Sequence, residues 1–155
     1  MSTFSLDLAF SSAILHEGSP IYALGYGWAT GKSLFDINEK MDGGSDVLFA
    51  VYDAAATPGT LTKIEVDFSN DGYPFTTGEN PIIVDSPTPL EGGMLRSYGT
   101  NVQGAAGWQI GAYTLIPSTD HEQVFDFTVT LTVQPANGQQ ISFQVDPRII
   151  VKGTN

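Results

Sequence analysis

Phe125-Asp126-Phe127-Thr128-Val129-Thr130-Leu131-Thr132-Val133-Gln134 puts five apolar side chains on one parity and five polar ones on the other. In an extended chain, successive side chains point to opposite faces, so this stretch is a β-strand with one face in a core and one in water. Pro135-Ala136-Asn137-Gly138 follows, and Asn-Gly is a turn signal. Ile141, Phe143 and Val145 then alternate with Ser142, Gln144 and Asp146. The two stretches predict a β-hairpin. Pro147 interrupts its ladder, because proline has no N–H, and Ile149-Ile150-Val151 reads as a short terminal strand.

Working outward, Thr62–Phe68 repeats the pattern: Ile64, Val66 and Phe68 face one way, Lys63, Glu65 and Asp67 the other. The opening segment sets Phe4, Leu6, Leu8 and Phe10 against Ser5, Asp7 and Ala9. Val47–Tyr52 is a more continuous apolar run, which fits a strand buried on both faces. Ile21–Trp28, Pro81–Val84 and Trp108–Ile116 are weaker strand candidates. Helical periodicity is nearly absent. Its one candidate is Ser33–Met41, where Ser33 and Asp36 approximate a capping box, and a single turn or loop fits equally well. Asp85–Gly107, with two prolines and five glycines, and Gly25–Gly44 read as long irregular stretches that carry function or cross between sheets. Roughly seven or eight strands with frequent turns predict one all-β domain over residues 1–155. The expected form is an antiparallel, two-sheet, jelly-roll-like sandwich, with a closed barrel as the alternative.

Composition narrows function by exclusion. The net charge is −11, and the six basic residues are scattered, so no patch can neutralise a run of phosphates. Nucleic acid and anionic membranes are not expected partners. With no cysteine, disulfides, thiolate metal sites and Cys nucleophiles are excluded. The Met1-Ser2-Thr3-Phe4 start lacks a basic leader and an unbroken apolar core, and no run of about 18 apolar residues occurs. A cytoplasmic protein is the expectation, with signal-less export left open.

Four constellations bear on chemistry. Gly25-Tyr26-Gly27-Trp28-Ala29-Thr30-Gly31-Lys32-Ser33 ends like a phosphate-binding loop, but Tyr26 occupies the position of the first required glycine. Asp67-Phe68-Ser69-Asn70-Asp71-Gly72 starts like a calcium loop, with oxygens at Asp67, Ser69 and Asp71. The acid needed at its twelfth position is Gly78, with Glu79 one residue late, and Ser-Asn-Asp-Gly is equally ordinary turn chemistry. His16 and His121 are the only histidines, and neither belongs to a metal spacing or a nucleophile elbow. A small acidic hydrolase with a carboxylate pair therefore stays a minor alternative. Last, Tyr22, Tyr26, Trp28, Tyr98, Trp108 and Tyr113 lie in weakly patterned segments. On a surface, Trp28, Tyr98, Trp108 and Tyr113 would stack on sugar rings, as in a carbohydrate-binding module or lectin, calcium-assisted or not. In a core they would be plain packing.

Gly44-Ser45-Asp46-Val47-Leu48-Phe49, and the ending of long Phe-x-Phe strand, turn, partner strand and Asp146-Pro147-Arg148-Ile149-Ile150-Val151, resemble bacterial inclusion-body proteins of the PixA/AidA type. The likeness spans about a quarter of the chain, and such strand patterns recur across unrelated sandwiches. The chain departs from that family in lacking its aromatic-Arg pair. The resemblance implies a small bacterial β-sandwich made in quantity and supplies no catalytic residue. The expectation is thus a non-catalytic binding or structural protein, self-assembling into a homo-oligomer through exposed strand edges or binding carbohydrate. It needs no cofactor, and calcium is the one metal to consider.

Overall fold

The computed structural model describes residues 2–19, 21–28, 38–69, 71–91, 94–97, 101–104 and 106–154. Its strands are, in chain order, β1 (Thr3–Phe10), β2 (Ala23–Trp28), β3 (Lys40–Met41), β4 (Asp46–Asp53), β5 (Thr60–Asp67), β6 (Ile82–Asp85), β7 (Met94–Ser97), β8 (Asn101–Gly104), β9 (Ala106–Thr114), β10 (Gln123–Asp126), β11 (Thr128–Gln134), β12 (Ile141–Val145) and β13 (Arg148–Val151). No helix of the described residues is long and apolar enough to cross a membrane.

One layer is a sheet in the order β2-β1-β4-β9. The other is β12-β11-β5-β6, continued by β10-β13-β3. None of these sheets closes into a barrel. Leu6, Leu8 and Phe10 from the first layer meet Ile64, Leu131 and Val145 from the second in a single buried cluster. Apolar area removed from water between two sheet faces is the main term that holds such a sandwich together.

The decisive hairpin is continuous. Gln123 faces Val151 at one end and Val133 faces Ile141 at the other, with no shift of register between. Phe125, Phe127, Val129, Leu131 and Val133 are all buried, as their alternation requires. The ladder breaks only at Pro147, which cannot donate, although its carbonyl still accepts from the Phe127 N–H at 3.1 Å. The neighbours of Pro147 are also structural. Thr128 Oγ1 donates to Asp146 Oδ1, Arg148 Nε donates to Asp126 Oδ1 across the strand pair at 2.7 Å, and Ile149 is buried. Arg148 is thereby held further toward its charged form, by its hydrogen bond to Asp126 first and by that carboxylate's charge second. The connection is wider than a two-residue turn. A type I′ turn needs positive φ at both central residues, and here Gly138 has φ 131° while Asn137 does not. Gln134 Nε2 instead spans the loop to the Gly138 carbonyl at 2.7 Å.

Several expectations change. The antiparallel rule has two exceptions among the described residues, since β1 runs parallel to β4 and β3 parallel to β13. The one helical candidate, Ser33–Met41, for which a turn or loop fits equally well, ends in strand β3 at Lys40–Met41, and its residues 33–37 lie outside the described set. The stretch expected to be irregular at Asp85–Gly107 contains the β7–β8 hairpin. Lys32 and Ser33 of the phosphate-loop-like segment lie outside the described residues, and Gly25–Trp28 belongs to edge strand β2. Asp7 and Ala9, expected in solvent, are fully buried. Ala9 joins Ala50 and Tyr52 in a second small cluster, and Ser5 Oγ donates to Asp7 Oδ1 at 2.7 Å. The first layer is therefore buried on both faces at its two central strands, as the apolar run Val47–Tyr52 implies.

The segment after β5 ties the layers together. Phe68 N–H donates to Asn80 Oδ1 at 2.8 Å, closing a long loop at its base. Within it, Pro74 O accepts from Ile116 N–H, Thr76 N–H donates to Thr114 O, and Phe75 bridges Leu115. The loop thus leaves the second layer, lies along the chain just past β9 in the first, and returns as β6. Phe75 packs edge-on to Phe49, Phe68 and Tyr73. Offset and edge-to-face contacts of this kind add to plain burial.

Candidate functional site

The eight sequence candidates separate. Trp28 and Trp108 are core residues at 0% and 1% exposure, so neither can stack on a ligand. Trp28 Nε1 donates to the Arg148 carbonyl at 2.8 Å, and Trp108 stacks on Phe10 at 6.4 Å. This corrects the surface-platform expectation for both tryptophans. Tyr98 lies outside the described residues. Tyr113, near the end of β9, is half-buried.

The calcium-like residues serve separate partners. Asp67 Oδ1 accepts from both the N–H and the hydroxyl of Ser69, which is an Asx turn. Asp71 Oδ2 accepts the Asp126 backbone N–H at 2.9 Å, capping a strand donor that β5 no longer reaches. Glu79 lies further along the loop and lines a different feature, a groove shared with Tyr113. Among the described residues, no three His, Cys, Asp or Glu side chains gather into a group that could hold a metal ion.

Tyr113 and Glu79, picked out for different reasons, line one open groove of about 250 Å³ with Gly78, Pro81, Ile82 and Ile83. Its floor is set by the loop that bridges the two layers. Gly78 has φ 74°, and a Cβ there would lie 2.7 Å from Tyr73 Oη and 3.3 Å from Tyr113 Cε1. Glycine is needed on both counts, since side chains disfavour that φ and no room exists for one. Tyr73 Oη donates to the Thr77 carbonyl at 2.5 Å, and Thr77 Oγ1 accepts from the Thr114 N–H. Behind the groove, Tyr113 packs on Phe75 and Phe49 with centroids 5.5 and 6.0 Å apart. Ile83 is 47% exposed at the rim. A flat ring edge, an apolar rim and a single carboxylate suit a ligand with one apolar face and polar substituents.

Burial pushes the Tyr73 hydroxyl up, and the nearby Tyr113 and Glu79 add to that shift. Burial alone pushes Tyr113 up. A phenol raised above its unfolded value favours folding below that value, and the contribution is lost as pH rises through the folded one. Absorbance titration at 295 nm is expected to show late-ionising phenols to which Tyr73 and Tyr113 contribute. Tyr113→Phe should remove its own late step and draw that of Tyr73 earlier. A titration curve whose late part is unchanged in Tyr113→Phe would contradict this geometry.

Two further openings, of about 330 and 320 Å³, meet at Asn137 at one end of the sandwich. The first is lined by Ser12, Ala13, Ala56, Thr57, Ala136 and Asn137, small neutral side chains with no aromatic face. The second adds exposed His16 and Glu17, with His16 Nδ1 2.9 Å from the Glu17 carbonyl oxygen. The second thus sets an imidazole and a carboxylate on its wall, but neither opening is lined by a Tyr, Trp or Phe ring as the Tyr113 groove is.

The reading of the sequence alone misses Tyr73, Pro81 and Ile83. The available signal was Asp71-Gly72-Tyr73-Pro74, an aromatic between a turn and a proline, together with the second proline seven residues on. No family model, curated protein or solved structure matches the chain.

Proposed function

We propose that this chain is a non-catalytic binding protein that holds a saccharide against Tyr113 in the groove at Gly78–Ile83. The observation that carries the reading is the convergence of Tyr113, Glu79 and neighbouring Tyr73 on one groove backed by a packed aromatic cluster. A sugar ring offers an apolar C–H face to an aromatic and hydroxyls to a carboxylate. Rigid backing limits the ordering cost on binding. Among the described residues the groove has one lining carboxylate, Glu79, whereas glycoside hydrolysis uses two.

Thermal melting across a panel of mono- and oligosaccharides, with and without calcium, tests the reading. A ligand at a hundred times its dissociation constant adds roughly 2.7 kcal/mol and raises Tm by about 5 to 10 °C at this chain length. The expected result is such a shift with one sugar class, abolished by Tyr113→Ala and indifferent to calcium. No shift with any sugar removes the reading.

A second reading, assembly with copies of itself, is favoured by one observation. Strand β6 ends its sheet, and Ile83 on it is exposed. Unpaired edges invite strand pairing between chains. Solution mass at increasing concentration separates the two: assembly predicts a dimer or larger species weakened by a charge at position 83, and a constant monomer excludes it.

A further inference from the structure

We propose that the Tyr113 groove selects saccharides that carry a protonated amine over neutral or N-acetylated ones. This rests on the saccharide-binding reading and names the ligand class within it. Glu79 is exposed on the groove wall, and among the described residues it has no cationic partner. Three of the described basic side chains are already paired elsewhere: Lys40 with Glu122, Arg148 with Asp126 and Lys152 with Asp42. Among the described residues, no basic side chain lines the groove.

The tyrosines strengthen the preference. A phenol oxygen accepts a hydrogen bond from a protonated amine, and such charge-assisted bonds are stronger than neutral ones. The Tyr73 hydroxyl and the Tyr113 ring edge both lie within 3.4 Å of where a Gly78 Cβ would sit, so both reach the volume beside Glu79. Burial first, and then the neighbouring Tyr113 and Glu79, push the Tyr73 hydroxyl up, in keeping with both groups lying near it. A neutral sugar placed there satisfies the rings and leaves Glu79 bound only to hydroxyls or water. A protonated amine supplies the missing counter-charge, and the net charge of −11 adds a favourable long-range field.

The test compares the β-1,4-linked trimer of glucosamine with its N-acetylated counterpart by isothermal titration calorimetry. It is run at pH 6, where primary amines are protonated. The amine trimer is expected to bind about tenfold more tightly, the size of one charge-assisted hydrogen bond combined with one exposed ion pair. Glu79→Gln should bring the two trimers to within about twofold by weakening only the amine form, and Tyr113→Ala should weaken both. In 0.5 M salt the preference should shrink, because exposed charge pairs are screened. Equal affinities overturn the inference and leave the binding reading standing. A preference that survives Glu79→Gln also overturns it, since the amine is then drawn by the acidic surface at large. Binding of neither trimer overturns the inference and, with no other sugar active, the reading beneath it.

Discussion

Replacing Asp53 with alanine is expected to lower Tm by roughly 8 to 16 °C, on a loss of about 4 kcal/mol for a domain of this length. Asp53 ends β4 and is fully buried. Its Oδ1 accepts from the Ser12 and Ala55 N–H groups, both at 3.0 Å, and its Oδ2 from the Gly59 N–H at 2.9 Å. One carboxylate therefore anchors the chain just after β1, just after β4 and just before β5. Alanine removes the acceptor and strands buried donors, which costs more than the net worth of the bonds. Asp53→Asn is the control. An amide keeps one oxygen for Ser12 and Ala55, and Gly59 retains its second acceptor, Ser12 Oγ at 3.0 Å. Its loss is expected to be only about 1 to 2 kcal/mol. Differential scanning calorimetry reads both, and an alanine variant that melts within 2 °C of the parent would show that these loops hold without the carboxylate.

Trp28→Ala is expected to cost about 3 to 5 kcal/mol, shifting the urea midpoint down by roughly 1.5 to 2.5 M. The indole is wholly buried at one flank of the sandwich. Its N–H reaches from β2 in the first layer to the Arg148 carbonyl on β13 in the second. Truncation opens a cavity and orphans that carbonyl at once. Trp28→Phe separates the two effects, because it keeps most of the ring volume and loses only the hydrogen bond, at about 1 to 3 kcal/mol. If Trp28→Ala unfolds at the parental midpoint, the tryptophan does not join the layers, and the surface-platform role it loses here would need reconsideration.

The parts of the fold legible in the sequence are those where one face meets water. Thr128, Thr130 and Thr132 against Val129, Leu131 and Val133 leave no doubt of strand or parity, because the outer face is polar. Strand β2 is legible only as the weak candidate Ile21–Trp28, for the opposite reason. Its second face, Gly25 and Gly27, pairs with Ala9 and Asp7 and is buried too, so small residues stand where polar ones would show the alternation. Gly-x-Gly then reads as a loop, and Trp28 as a loop aromatic. The parallel pairing of β1 with β4 leaves no local trace either, since alternation is the same whichever way a neighbour runs. Of the site, Tyr113 and Glu79 were legible as residue types but not as neighbours. They line one groove only because the loop after β5 crosses to the other layer, which brings together residues 34 positions apart that no spacing rule relates.

The position of β11 has a consequence for how this chain comes off the ribosome. It lies between β12 and β5, in the middle of its layer, yet β5 is translated some sixty residues earlier. Until that late segment emerges, the nascent chain holds β5 with one side unpaired and the inner face of the first sheet uncovered. Long-range pairings of this kind fold slowly and leave sticky intermediates. At translation rates of about 5 to 20 residues per second, the interval lasts roughly 3 to 12 seconds. Nascent copies on one polysome then expose complementary strand edges to each other. Overproduced chains should therefore partition into aggregates early, and slowing initiation, more than lowering temperature after synthesis, should recover soluble protein.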